Sequence, residues 1–237
     1  MKLTSLLYPR CCPVCERVLP EHPVGSKEWV CRPCNEKLSY IVSPRCMICG
    51  KQLYQKEHEY CADCQKIPHV FTQGIGVFGY DEAIQHAMYR FKYEDERHYA
   101  QFFAEALYTR YGYRLSDWGV EVLLPVPLYP LKFFTRGYNQ AELICQALSQ
   151  ISQIPVDSTL LCRVRPTKPM KDLNDEERAK NLENAFQCSA NKVKYKRVLV
   201  MDDIYTTGAT MDACARALKA VGVEKIYCAS ICIGNGY

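Results

Sequence analysis

The apolar positions of this chain fall into two regimes. Up to Pro68 large apolar side chains are sparse, and pairs of cysteines sit among prolines and polar turns. Beyond it, period-two and period-3.6 runs alternate, which places a boundary near residue 70: a small domain over 1–70 and a larger one over 71–237. Residues 74–80 predict a strand. Residues 81–93 and 97–111 predict amphipathic helices, with Ile84, Met88, Phe91 and then Phe102, Phe103, Leu107 as their inner faces. The next strand, 121–126, ends in Pro125-Val126-Pro127 because proline cannot donate to a ladder, and a helix over 139–150 turns Leu143, Ile144, Ala147 and Leu148 inward. Strand patterns recur at 159–164, 197–204 and 225–233. Strands separated by helical runs predict an α/β fold with a doubly wound, mostly parallel sheet, whose ligands bind at the carboxyl ends of the strands.

One stretch on that edge carries the chemistry. Val198 to Thr210 reads Val-Leu-Val-Met-Asp-Asp-Ile-Tyr-Thr-Thr-Gly-Ala-Thr: four apolar residues fit for a buried strand, two acids at its end, then a hydroxyl-rich turn. The helix after the turn is marked by Met211, Cys214, Leu218 and Val221, with Gly222 where a C-cap belongs. A helix N-terminus offers free N–H groups to an anion. Here those of Thr206, Thr207, Gly208, Ala209 and Thr210, with the threonine hydroxyls, suit a phosphate dianion. No G-x-x-x-x-G-K-[ST] occurs, which speaks against a P-loop nucleotidase. Asp202 and Asp203 suit vicinal ribose hydroxyls, which are neutral donors for fixed carboxylate acceptors. An acidic strand end followed by an ordinary capped helix would share part of this pattern. The whole string resembles the phosphoribosyl-pyrophosphate (PRPP) motif of type I phosphoribosyltransferases.

Cysteine usage changes the picture of the first 70 residues. Of fifteen cysteines, eight form the pairs Cys12/Cys15, Cys31/Cys34, Cys46/Cys49 and Cys61/Cys64. Cys-x-x-Cys sets two thiolates on one tight turn, and two such turns complete the four sulfurs of a closed structural Zn²⁺ site, so two zinc ions are expected. Zinc supplies on the order of 10 kcal/mol per site, which stands in for the missing apolar core. Spacing alone leaves interleaved pairing open, and Cys11 is an alternative to Cys12. A redox relay would need its Cys-x-x-Cys pairs at strand-to-helix turns, and His22 and His58 are superfluous where four sulfurs suffice. Met1 to Tyr8 does not read as an export signal and no apolar run approaches the roughly 20 residues of a membrane span, so a soluble protein of the reducing cytoplasm is expected.

Net charge is +4; residues 1–70 carry ten Lys/Arg against seven Asp/Glu, and 71–237 twenty against nineteen. The surplus in the cysteine-rich part is mildly suggestive of nucleic acid, although such a set of cations is more often a solvated surface. Between two strands, residues 166–183 form a long charged stretch that reads as a lid over a polyanion or as an exposed hairpin.

Taken together, the four cysteine pairs, Phe91-Lys92-Tyr93, Leu124-Pro125-Val126-Pro127, Arg136-Gly137-Tyr138-Asn139-Gln140-Ala141, Arg178-x-x-Asn181 with Ala185-Phe186, and the PRPP motif resemble the ComF/ComFC competence proteins over essentially the whole chain. The resemblance implies a double zinc ribbon followed by a type I phosphoribosyltransferase-like domain. It implies Asp202 and Asp203 on the ribose hydroxyls, Thr206 to Thr210 on the 5′-phosphate, and Pro125, Val126 and Arg136 near pyrophosphate, with Mg²⁺ carried by the PRPP. It further implies single-stranded DNA and a ComFA-type helicase of the uptake machinery as partners. An active phosphoribosyltransferase with an unknown acceptor is the alternative, and no residue is assigned to catalysis or to an acceptor.

Overall fold

The structure is a computed structural model and describes residues 9–20, 28–166, 177, 181–182, 184–189 and 193–234. His22, Met1 to Tyr8 and most of the 166–183 stretch lie outside the described residues.

Four parallel strands form the central sheet: β1 (Gln73–Gly79), β2 (Val122–Pro125), β5 (Arg197–Tyr205) and β6 (Lys225–Ile233), in the order β1-β6-β5-β2. Alternation along β5 shows why the sheet is covered on both faces. Leu199 and Met201 join one apolar cluster, while Val198 and Val200 join the other. The first cluster receives α3 (Glu82–Tyr93), α4 (Tyr99–Asp117) and α6 (Gln140–Ser152) through Phe91, Phe103, Leu107 and Ile144; the second receives α7 (Ala209–Ala220) through Met211, Cys214 and Leu218. Asp81 opens α3 by accepting the Ile84 N–H at 2.9 Å. Leu115, buried on the same face as Tyr111, carries α4 past the expected end at 111 to Asp117.

One strand expectation is corrected. The strand expected at 159–164 is β3 (Leu161–Arg163), which lies outside the parallel sheet and pairs antiparallel with β4 (Phe186–Cys188). Its approach to β2 ends after a single bridge, Val156 to Leu123. There the Asp157 carboxylate accepts from the N–H groups of Thr159 and Leu160 and turns the chain away. A short helix that the sequence pattern does not announce, α5 (Pro130–Arg136), lies between β2 and α6 in the chain; none of its residues is buried.

Two further helical turns, α1 (Arg32–Asn35) and α2 (Ala62–Lys66), follow Cys31 and Cys61. The cysteine-rich residues pack on both faces of the sheet. Cys12, Leu19, Val30, Cys34 and Leu38 belong to the first cluster, Cys46, Cys49, Leu53, Cys61 and Cys64 to the second. They also cover the outer edge of β1. Ile41 donates its N–H to Val77 at 2.9 Å, Gly79 donates to Ser39 at 2.8 Å, and Gly74 donates to Ile48. A side chain at Gly50 would stand 2.7 Å from the Gly74 carbonyl oxygen, so the crossing needs glycine. This cover keeps five of the seven residues of an edge strand buried.

Candidate functional site

A cleft of about 430 Å³ opens at the carboxyl edge of the sheet, between β5 and β2. It exists because the two strands part company there. Their pairing ends at Pro125 opposite Met201 and a last bond from the Val126 N–H to the Met201 oxygen, whereas β5 runs on beside β6 as far as Tyr205. Asp202 and Asp203 therefore lie inside the strand rather than at its end, on the part that has lost its β2 neighbour. Pro125 is buried as the last residue of β2, and the cleft wall starts at Val126.

The Thr-Thr-Gly-Ala-Thr turn lies where the sequence puts it. Thr206 through Met211 all line the cleft at the start of α7, with Thr206 exposed and Thr207 and Gly208 buried. The N-cap is Gly208, at φ +86°; an added Cβ would lie 2.6 Å from the Tyr205 hydroxyl and 2.8 Å from His69 Cε1. That left-handed backbone and that crowding both demand glycine. Beneath the loop His69, 1% exposed, donates from Nδ1 to Asp212 Oδ2 at 2.8 Å, and the Val70 N–H donates to Asp212 Oδ1 at 2.7 Å. The first turn of α7 is thus tied to the segment that leaves the cysteine-rich part.

A second helix N-terminus faces the same space: Asn139, Gln140 and Ala141 line it at the start of α6. Gln140 is 2% exposed; its Oε1 accepts from Arg136 Nη1 at 2.6 Å, and its Nε2 has no partner among the described residues. A buried amide donor left open on a cleft wall fits a ligand oxygen.

Four cations and two acids face one another across the cleft. Lys92 Nζ lies 2.7 Å from Asp203 Oδ2, each side chain 16% exposed, and Lys132, Arg136 and Arg163 complete the cationic wall. Burial by itself would lower the Lys92 ammonium, but the charge and hydrogen bond of Asp203 outweigh it and hold its pKa above the ordinary value. Burial, then the neighbouring Arg163, Arg136 and Lys92, lowers Lys132. Asp202 accepts the Asp203 N–H at 2.8 Å, yet burial first and the Asp203 charge second push its carboxyl up to about 7.

The Asp202 shift has a sign that can be checked. Its ordinary value is 3.8. Between about pH 4 and pH 7 the folded chain therefore keeps a proton that the unfolded chain has released, and stability falls as pH rises through that window, then levels off. Asp202→Asn is expected to remove this slope, so that thermal melts of variant and wild type diverge between about pH 4 and pH 7. Parallel curves would contradict it.

The cysteines gather as two quartets, Cys12/Cys15/Cys31/Cys34 and Cys46/Cys49/Cys61/Cys64, each with its sulfurs within 4.8 Å of one another. Consecutive pairs, not interleaved ones, share a site. Zinc–sulfur bonds of about 2.3 Å put tetrahedral sulfurs about 3.8 Å apart. Sγ–Sγ distances of 3.6 Å for Cys15–Cys31 and 3.7 Å for Cys49–Cys61 fit that geometry. Cys11 stands outside, its sulfur 3.6 Å from the Pro9 oxygen, and His58 is exposed. Among the described residues these quartets are the groups with three or more metal-capable ligands.

Sequence reading missed several of these groups. Lys92 and Gln140 stand out in the sequence only as parts of family markers, and nothing there marks Lys132, Arg163, His69 or Asp212. Spacing shows none of these pairings; an acid at the fourth residue of a helix reads as dipole compensation, not as the anchor of a distant histidine.

A cysteine-quartet module and a parallel α/β domain with a Thr-Thr-Gly-Ala-Thr cleft define a zinc ribbon joined to a phosphoribosyltransferase-like domain. Residues 3–65 match the family described as a double zinc ribbon domain, and residues 150–236 match the phosphoribosyl transferase domain family. The chain is 32% identical over 206 residues to competence protein F of Haemophilus influenzae, covering 85% of this chain and 89% of that protein. It is 28% identical over 201 residues to competence protein ComFC of Bacillus subtilis, 82% of this chain and 80% of that one. DNA utilization protein YhgH of Escherichia coli K12 is 24% identical over 214 residues, 89% and 93% of the two chains. The chain belongs to the competence protein F/ComFC family.

Proposed function

We infer that the cleft binds magnesium-PRPP and that the protein serves the uptake and use of DNA, handling single-stranded DNA in the cytoplasm beside a ComFA-type helicase. One observation carries the ligand: two helix N-termini and four cations surround a cleft that also holds two carboxylates. Phosphates alone would call for the first two; the acids, beyond their bonds to Lys92 and the Asp203 N–H, offer further acceptor oxygens to neutral donors such as a ribose diol. In this reading Asp202 and Asp203 accept from the ribose hydroxyls. Thr206 to Thr210 hold the 5′-phosphate through N–H and hydroxyl donors. Gln140, Arg136 and Lys132, with the backbone from Val126, take the pyrophosphate. Bound Mg²⁺ supplies charge neutralisation on that pyrophosphate.

The relatives' printed names support the role in DNA: competence protein in two, DNA utilization protein in the third. Among the described residues no helix is long and apolar enough to cross a membrane, which is compatible with cytoplasmic work.

The match to the phosphoribosyl transferase domain family supports a second reading, an active transferase in which pyrophosphate leaves and an acceptor attacks the anomeric carbon. Catalysis would then rest on positioning and on the cationic wall. Calorimetric titration with magnesium-PRPP tests both: one site per chain is expected, and absence of binding overturns the ligand. Pyrophosphate release on adding an acceptor would favour the transferase.

A further inference from the structure

A carboxylate stands where a phosphate site tolerates one least. Asp212 is the fourth residue of α7, one turn on from the Thr206 to Thr210 donors, and its N–H closes the first helical bond onto the Gly208 oxygen at 2.9 Å. A negative side chain in the first turn takes up the same helix-end field that would hold a dianion, and it repels that dianion. Yet Asp212 is 6% exposed, and the cleft wall stops one residue short of it, at Met211. Both its oxygens are held beneath the turn, Oδ2 by His69 Nδ1 and Oδ1 by the Val70 N–H.

His69 does this with one polar atom. A carboxylate only accepts, so Nδ1 carries the ring proton, while the buried Nε2 has no partner among the described residues. The ring stacks on Phe71 with centroids 4.7 Å apart, and its Cε1 closes the space under Gly208. Phe71 belongs to the apolar cluster that holds the second cysteine quartet, and Cys64 of that quartet stands five residues before His69 in the chain. The segment that leaves the quartet therefore reaches the underside of the turn.

We propose that His69 is a positioning residue of this turn: its bond to Asp212 keeps that carboxylate turned away from the bound phosphate and fixes the start of α7 from beneath. This role rests on the PRPP reading above and deepens it, because it makes a residue next to the cysteine-rich part a determinant of affinity at the 5′-phosphate half of the cleft. The Nδ1 donor is what the role requires. Asparagine offers a side-chain N–H in the place of Nδ1, whereas phenylalanine keeps a ring against Gly208 and Phe71 and loses the donor.

Calorimetry with two half-ligands tests it, ribose 5-phosphate for the turn and magnesium pyrophosphate for the half that Gln140 and Arg136 line. His69→Phe is expected to weaken ribose 5-phosphate about tenfold, the loss of one hydrogen bond to a charged group. Its affinity for magnesium pyrophosphate should stay that of the wild type, which also reports an intact fold. His69→Asn is expected to keep the wild-type affinity for both. Packing alone would give the reverse order, since phenylalanine fills the space and asparagine does not. Equal affinity of wild type and His69→Phe for ribose 5-phosphate overturns the role, as does a His69→Asn variant as weak as His69→Phe, or an equal loss of both half-ligands in His69→Phe. In each of these the wild type still binds magnesium-PRPP and the ligand reading stands. A wild type that binds neither ribose 5-phosphate nor magnesium-PRPP overturns the ligand, and this role with it.

Discussion

Asp202→Asn with Asp203→Asn is expected to abolish measurable binding of magnesium-PRPP in calorimetry. Each carboxylate that accepts from a ribose hydroxyl contributes a charged hydrogen bond of about 1.5–3 kcal/mol, so loss of both lowers affinity by about 10²–10⁴-fold. The asparagines keep the shape of the wall, and the change relieves the burial cost that pushes the Asp202 carboxyl up to about 7. It also removes negative charge from a wall bearing Lys92, Lys132, Arg136 and Arg163. Free pyrophosphate should therefore bind the variant as tightly as the wild type or more tightly. That opposite response separates diol recognition from mere anion attraction. Unchanged affinity for magnesium-PRPP would sink the assignment of the acids.

Loss of zinc is expected to unfold the whole chain rather than to loosen one end of it. Elemental analysis should give two zinc ions per chain. A structural site contributes about 10–16 kcal/mol, comparable to the roughly 5–15 kcal/mol that separates a folded domain from its unfolded state. The second quartet is fully buried in the cluster that also holds Val198, Val200 and Leu218. Cys49→Ser should thus abolish cooperative melting. In the first quartet Cys15 is exposed, so a chelator is expected to take that ion first and the second only as the sheet opens. A zinc content near zero or one, or a Cys49→Ser variant that melts like the wild type, would reject this account.

Much of this was legible before any coordinates. Short continuous apolar runs mark β1, β2, β5 and β6, because a strand covered on both faces needs apolar residues at every position, and the Asp-Asp and Thr-Thr-Gly-Ala-Thr string sits where the strand order makes a crevice. Cysteine spacing announced four-sulfur sites but not their partners. Pairing depends on how the two ribbons lie in space. The 161–163 strand had the right composition and the wrong sheet, since one aspartate turn at Asp157 redirected it. Helix α5 was hidden for the opposite reason: its apolar residues face solvent, and periodicity detects only what is buried. Lys92 with Asp203, Gln140 with Arg136 and His69 with Asp212 are contacts across long stretches of chain or around a helix start, where no local pattern encodes them.

The cover over the β1 edge bears on how such a chain comes off the ribosome. In the finished sheet β1 pairs with β6, and Ile226 donates to the Thr72 hydroxyl across 154 positions of sequence. The strand made early must wait for a strand made much later, and ordering so distant a contact is slow. Ser39, Ile41 and Ile48 precede β1 in the chain and bond its other edge, so that partner emerges first. Zinc uptake by the nascent ribbon would give β1 one satisfied edge during the delay and leave a single edge open to misassembly.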